Sequence, residues 1–148
     1  MPQLAVVIAA YNASEYLEDA LSSVAEQDLE DWVCVVVDDG SSDATPELAA
    51  AWARRDPRFL LLRQDNAGPG AARNLGLVNL PASVEAVTFR DASELRLTSA
   101  LRVAWQHSNR CSMVLTVGCQ VERFAEDGTF VGPGWFGWKE LCFTSYQP

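Results

Sequence analysis

Two uninterrupted apolar runs constrain the fold more than any other feature. Leu4 to Ala10 (LAVVIAA) and Trp32 to Val37 (WVCVVV) are each strand-length and contain no charged or amide side chain. A strand with one wet face alternates apolar and polar residues, whereas a parallel strand covered on both faces does not. Between the runs, Tyr16 or Leu17, then Ala20, Leu21 and Val24 recur at helical spacing through Gln27. Asn12 is placed to cap that helix, with Glu15 at the capping-box spacing. Strand, helix and strand in this order predict a βαβ unit and a parallel sheet.

The alternation continues. Thr45 reads as the cap of a second helix, with Pro46 where a helix tolerates it and Leu48, Ala51 and Trp52 facing inward. Phe59 to Leu62 is a third strand, Gln64 to Gly70 a Gly/Pro loop and Ala71 to Leu80 a short helix. Val84 to Phe89 is a fourth strand, ending at Arg90-Asp91-Ala92-Ser93. A further helix starts at Thr98 or Ser99, with Leu101, Ala104 and Trp105 inward, and Ser112 to Val117 reads as a fifth strand. Val121 to Phe124, Asp127-Gly128 and Thr129 to Val131 read as a hairpin with a tight primed turn. The fold class expected is α/β: a Rossmann-like, mostly parallel sheet with helices on both faces. With no repeat and no linker, residues 1–148 read as a single domain.

Charge narrows the partners. The chain has 20 acidic and 11 basic residues, a net charge of −9. Its first basic residue is Arg54, after 11 acidic ones. That balance argues against nucleic acid or an anionic membrane as the main partner. Leu4 to Ala10 is too short for a transmembrane helix, and no basic start makes it a signal peptide. The four cysteines form no CxxC pair, and His107 is the only histidine, so a zinc site is not expected. A cytoplasmic location is expected, either free or peripheral to the membrane. The aromatic tail around Trp135, Phe136 and Trp138 is a candidate homo-oligomer contact.

Polar clusters follow the buried strands, and in open α/β sheets ligands bind beyond the carboxyl ends of strands. Tyr11-Asn12 follows the first strand, Asp38-Asp39-Gly40-Ser41 the second, and Asp91-Ala92-Ser93 the fourth; Asn66 to Asn74 joins the third to its helix. The P-loop pattern GxxxxGK[ST] is absent. Gly68 to Arg73 departs from the dinucleotide fingerprint by having Arg where the last Gly belongs. A receiver-like phosphoacceptor would need its acidic pair after the first strand and a Lys after the fifth. Here the pair follows the second strand, and the only Lys is Lys139.

Four stretches, VVIAAYNASEYLEDALSSVAEQ, VVVDDGSSDAT, DNAGPGAARNLGL and VTFRDAS, resemble the family 2 glycosyltransferases of the GT-A fold over roughly residues 4–100. The resemblance implies a nucleotide-diphospho-sugar transferase fold, here with its C-terminal part truncated. Residues 1–97 would be the nucleotide-sugar-binding half, and residues 98–148 a short, incomplete acceptor-side portion. It implies inverting transfer of a sugar from a UDP-, GDP- or TDP-linked donor to an acceptor hydroxyl. Tyr11 and Asn12 would line the base, Asp39 would accept from the base edge with Asp38 nearby, and the loop from Asn66 through Gly68 to Arg73 would approach base and phosphates. Asp91 and Ser93 would sit at the ribose and metal position of a DxD motif. A Mg or Mn ion there is weakened by Ser93, since divalent cations prefer anionic oxygens, with the adjacent Glu94 as the substitute carboxylate. No residue matches the family's catalytic base, so the alternative is a degenerate homologue that binds nucleotide or a protein partner without transfer.

Overall fold

The computed structural model describes residues 2–92, 99–110, 121–124 and 130–134. By contacts the chain divides into two compact units, Met1–Val103 and Ala104–Pro148. The first holds a four-stranded sheet in the order β3-β2-β1-β4. Its strands are β1 (Leu4–Ala10), β2 (Trp32–Asp38), β3 (Phe59–Arg63) and β4 (Ala86–Asp91), and every pairing is parallel. Three helices connect them: α1 (Leu17–Ala25), α2 (Thr45–Arg55) and α3 (Pro69–Val78). A fourth, α4 (Ala100–Arg110), follows β4.

The two apolar runs are the two central strands, and all of β2 is buried. Helices cover both faces, as the continuous hydrophobicity requires. On one face, Trp32 of β2 and Trp52 of α2 both pack on Phe59, with ring centroids 5.4 and 5.0 Å apart. The Trp52 indole N–H donates to Glu18 at 2.8 Å, fastening α2 to α1. On the other face, Val35 and Val37 pack against Ala72 of α3, with Leu62 and Leu75 around them. Gly76 lets α3 lie close to the sheet: a Cβ there would come within 2.5 Å of Val7.

Several local expectations are corrected by longer-range bonding. Asn12 does not cap α1, which starts at Leu17 after a turn in which Tyr16 and Leu17 both donate to the Ala13 carbonyl. Thr45 does not cap α2 either. It is buried, and its Oγ1 accepts from the Ala13 amide at 2.8 Å. The inward face of α2 is Thr45, Pro46, Ala49 and Trp52, while Ala51 is exposed. The fourth strand begins at Ala86 rather than Val84.

In the second unit, β5 (Val121–Phe124) and β6 (Phe130–Gly134) pair antiparallel, the hairpin expected from the sequence. The expected strand at Ser112 to Val117, the turn Asp127-Gly128, and Trp135, Phe136 and Trp138 of the aromatic tail lie outside the described residues.

Candidate functional site

Because β1, β2 and β4 run parallel, their carboxyl ends reach one edge of the sheet. The registers Ala10↔Asp38 and Ala9↔Asp91 place the polar exits side by side. A cleft of about 260 Å³ opens there, lined by Ala9, Ala10, Tyr11, Asp39, Asn66, Gly68 and Pro69. Four of the residues expected to bind a nucleotide sugar therefore share one cavity: Tyr11, Asp39, Asn66 and Gly68.

Asp39 is built into the cleft wall. Its amide donates to the Ala10 carbonyl at 2.9 Å, so the second strand's exit is tied to the first. Its side chain is only 2% exposed. One carboxylate oxygen accepts from the Gln64 side chain at 2.6 Å and the Ala67 amide at 2.9 Å, and the other from the Gly68 amide at 2.9 Å. Burial alone would raise its pKa. The hydrogen bonds from Ala67, Gln64 and Gly68 outweigh burial and hold the carboxyl below the ordinary aspartate value. Asp39 is thus a buried anion at neutral pH, with three of roughly four acceptor positions filled from the 64–68 loop.

Two glycines make this loop approach possible. Gly68 has φ +89°, a region L side chains rarely adopt, and precedes α3. Gly40 has φ +76°, and a Cβ on it would come within 2.8 Å of the Asn66 amide nitrogen. The Asn66 backbone therefore rests against the turn that follows Asp39.

The adjacent Asp38 faces differently. It is fully buried, accepts from the Ser41 amide at 3.3 Å, and pairs with Arg63 Nε at 3.2 Å. Asn12 lies on the outer side of the same exit with φ +47°. Its amide donates to Ser41 Oγ at 2.9 Å, and its Oδ1 accepts from the Ser42 amide at 2.9 Å. Asp43 completes this latch by accepting from the Ser14 and Thr45 amides, each at 3.0 Å. Hydrogen bonds from Thr45 first and Ser14 second outweigh partial burial and hold the Asp43 carboxyl well below the usual range. Neither Asp38 nor Asn12 lines the cleft.

Arg73 and Asp91 meet as an ion pair, Nη2 to Oδ1 at 2.7 Å. Asp91 sits beside Ala9, a wall residue of the cleft, so the pair borders the cavity at its β4 side. Ser93 lies outside the described residues. Arg90 is displaced from this group. It is 1% exposed and donates Nη1 to the Ala20 carbonyl of α1 at 3.2 Å. Successive strand residues point to opposite faces, which separates Arg90 from Asp91.

Gln64 was not singled out from the sequence. A glutamine in a Gly/Pro loop carries no periodic or spacing signal, and only the fold brings it to Asp39. Gln27 is similar: it is 6% exposed and accepts from the Leu101 amide at 2.9 Å, holding the start of α4.

The glycosyl transferase family 2 model matches residues 5–140. The chain belongs to this family. It is 33% identical over 125 residues to the GalNAc(5)-diNAcBac-PP-undecaprenol beta-1,3-glucosyltransferase of Campylobacter jejuni, covering 83% of this chain and 40% of that protein. S. aureus TarS 1-349, solved in complex with UDP-GlcNAc, superposes with a TM-score of 0.64 at 28% identity, covering 74% of this chain and 32% of that one. The mannosyltransferase PcManGT of Pyrobaculum calidifontis, solved with GDP-Man and Mn2+, gives 0.54 at 29% identity, covering 64% and 28%. The chain thus spans less than half the length of each. The α/β fold with its mostly parallel sheet is the GT-A fold of these structures. Among the described residues, no helix is long and apolar enough to cross a membrane.

Proposed function

We propose that the cleft binds a nucleoside-diphosphate sugar and that the protein to which this chain corresponds transfers the sugar, with inversion, to an acceptor hydroxyl. The observation that carries this reading is Asp39, a buried carboxylate kept ionised in the wall of a cavity at the sheet's carboxyl edge. An anion there accepts a ring N–H of a pyrimidine or guanine, and its remaining acceptor position suits one such bond. Tyr11 is 54% exposed at the cleft rim, where a ring covers a base face. Asn12 and Asp38 act at one remove. Asn12 ties the first exit to the Ser41-Ser42 turn, and Asp38 ties that turn to β3 through Arg63. Asn66, Gly68 and the start of α3 lie toward the phosphates, with Arg73 and Asp91 at the far rim. Solved family neighbours hold UDP-GlcNAc and GDP-Man, which supports this ligand class.

In this reading residues 1–97 form the nucleotide-sugar-binding half, and residues 98–148 belong to the acceptor side. The experiment is calorimetric titration of UDP, GDP and TDP into the chain and its Asp39→Ala variant. Binding of at least one nucleotide, lost in the variant, supports the reading. Absence of binding by all three removes it.

A further inference from the structure

The outer edge of β3 carries a set of unused backbone groups. On its inner side the Cys34 amide donates to the Arg58 carbonyl at 2.8 Å, and the Gln64 amide to the Asp38 carbonyl at 3.0 Å. Backbone groups of a strand alternate in direction, so residues 58, 60, 62 and 64 face β2 while residues 59, 61 and 63 face away from it. Among the described residues, no strand pairs on that outer side. The strand reads FLLLR. Apart from Arg63 at its end, it has no charge, proline or bulge of the kinds that blunt an edge.

Beside this edge runs a groove of about 230 Å³ between α2 and β3, lined by Pro46, Glu47, Ala50, Arg54, Leu61 and Arg63. Its charge is unlike that of the rest. The chain carries −9 overall, yet four of its 11 basic residues, Arg54, Arg55, Arg58 and Arg63, fall in this stretch. Three of them are engaged: Arg55 lies over the Trp52 ring, Arg58 pairs with Asp56, and Arg63 with Asp38. Glu47 and Arg54 are exposed and form no ion pair among the described residues. They stand about two turns apart on one face of α2, with Ala50 and Ala51 midway between them.

We propose that this face docks a second copy of the chain, the two β3 edges pairing antiparallel around a two-fold axis at Leu61. The register closes on itself. The outward amide and carbonyl of Leu61 bond those of Leu61 in the other copy, and the Arg63 amide of each copy reaches the Phe59 carbonyl of the other. The Phe59 amide itself is taken by the Asp56 carbonyl at 3.0 Å. The same two-fold axis lays the two α2 helices antiparallel. Glu47 of each copy then stands opposite Arg54 of the other, with alanines meeting between. The order negative, small, positive is complementary to its own reverse. That complementarity selects a second copy over an unrelated acidic partner, which would set like charge against Glu47. The groove shares no lining residue with the cleft, so this inference stands apart from the nucleotide-sugar reading. A short edge and one helix face bury little area, so the dimer is expected to be of micromolar strength.

The test is sedimentation velocity of the full chain across the micromolar range, with the fold of each variant checked by circular dichroism. The expected result is a reversible monomer–dimer equilibrium. Glu47→Arg and Arg54→Glu each set like charges opposite one another twice, and each weakens dimerisation about tenfold or more. The double variant Glu47→Arg/Arg54→Glu restores the pairs in reverse and recovers the dimer, which a merely destabilised helix does not do. Leu61→Pro removes the outward amide and no bond to β2, and loses the dimer. A chain that stays monomeric up to several hundred micromolar overturns the inference. So does a dimer that neither single variant weakens, which places the contact elsewhere, as on the aromatic tail around Trp135. A double variant as weak as the single ones overturns it too, as does a folded Leu61→Pro that dimerises like wild type.

Discussion

The exit of β2 is gripped on two sides by two acidic residues that do similar bonding with different consequences. On the outer side, Asp43 accepts the Ser14 and Thr45 amides while Asn12 and Ser42 close around it. On the inner side, Asp39 accepts Ala67, Gly68 and Gln64. Both are carboxylates that hold a loop by its amides, and both are kept ionised. The outer latch joins loop to loop and borders no cleft wall. The inner one fixes the 64–68 loop across a cavity. An anion that only fastens backbone can be replaced at the cost of stability. In the proposed function, an anion that also faces the cavity takes part in recognition as well.

The largest effect expected is therefore at Asp39. In Asp39→Asn the new amide group turns a donor toward amides that already donate. Leaving such groups unmatched costs on the order of 1–3 kcal/mol each, and chemical denaturation reads the loss. Nucleotide binding goes with it, which Asp43→Ala does not cause. If Asp43→Ala abolishes binding while keeping the fold, the division between the two latches breaks.

Gly76→Ala comes next. Its Cβ would overlap Val7 in the packed face behind the cleft, and overpacking of this kind costs about 1–3 kcal/mol. Melting shows the loss. Nucleotide affinity of the folded variant is expected to stay, because Gly76 lines no part of the cavity.

Acid sharpens the comparison further. Asp39 and Asp43 both have folded pKa values below the unfolded value. Each contribution is therefore present above about pH 4 and is lost as pH falls through the folded value. Stability is expected to drop below about pH 4. Asp39→Asn and Asp43→Asn should each flatten that drop when denaturation midpoints are compared between pH 3 and pH 6. A variant that keeps the full drop shows that its carboxylate is not held as described. The smallest effect is expected for Arg102→Ala. Its exposed pair with Asp28, at 2.8 Å, contributes about 0–1 kcal/mol, and neither melting nor binding should move much.

What the sequence revealed follows the range of the interactions. β1 and β2 were legible because double-sided burial leaves no polar residue in LAVVIAA or WVCVVV. The β5–β6 pairing was legible because hairpin signals in a sequence are local. The four strand-end clusters were found because sheet topology alone brings them together. Asn12 and Thr45 were misassigned as helix caps, since short polar side chains near a helix start suit that role locally. The fold instead bonds Asn12 to Ser42 and Thr45 to Ala13, partners about 30 residues apart. Gln64 escaped for the same reason. Arg90 is next to Asp91 in the sequence, yet strand alternation turns it into the layer under α1.

The most direct test of the account is one calorimetric comparison of wild type, Asp39→Ala and Asp43→Ala with UDP, GDP and TDP. The account predicts that wild type and Asp43→Ala bind at least one of the three and that Asp39→Ala, still folded, binds none. Equal binding by Asp39→Ala and wild type, or no binding by wild type, would contradict it.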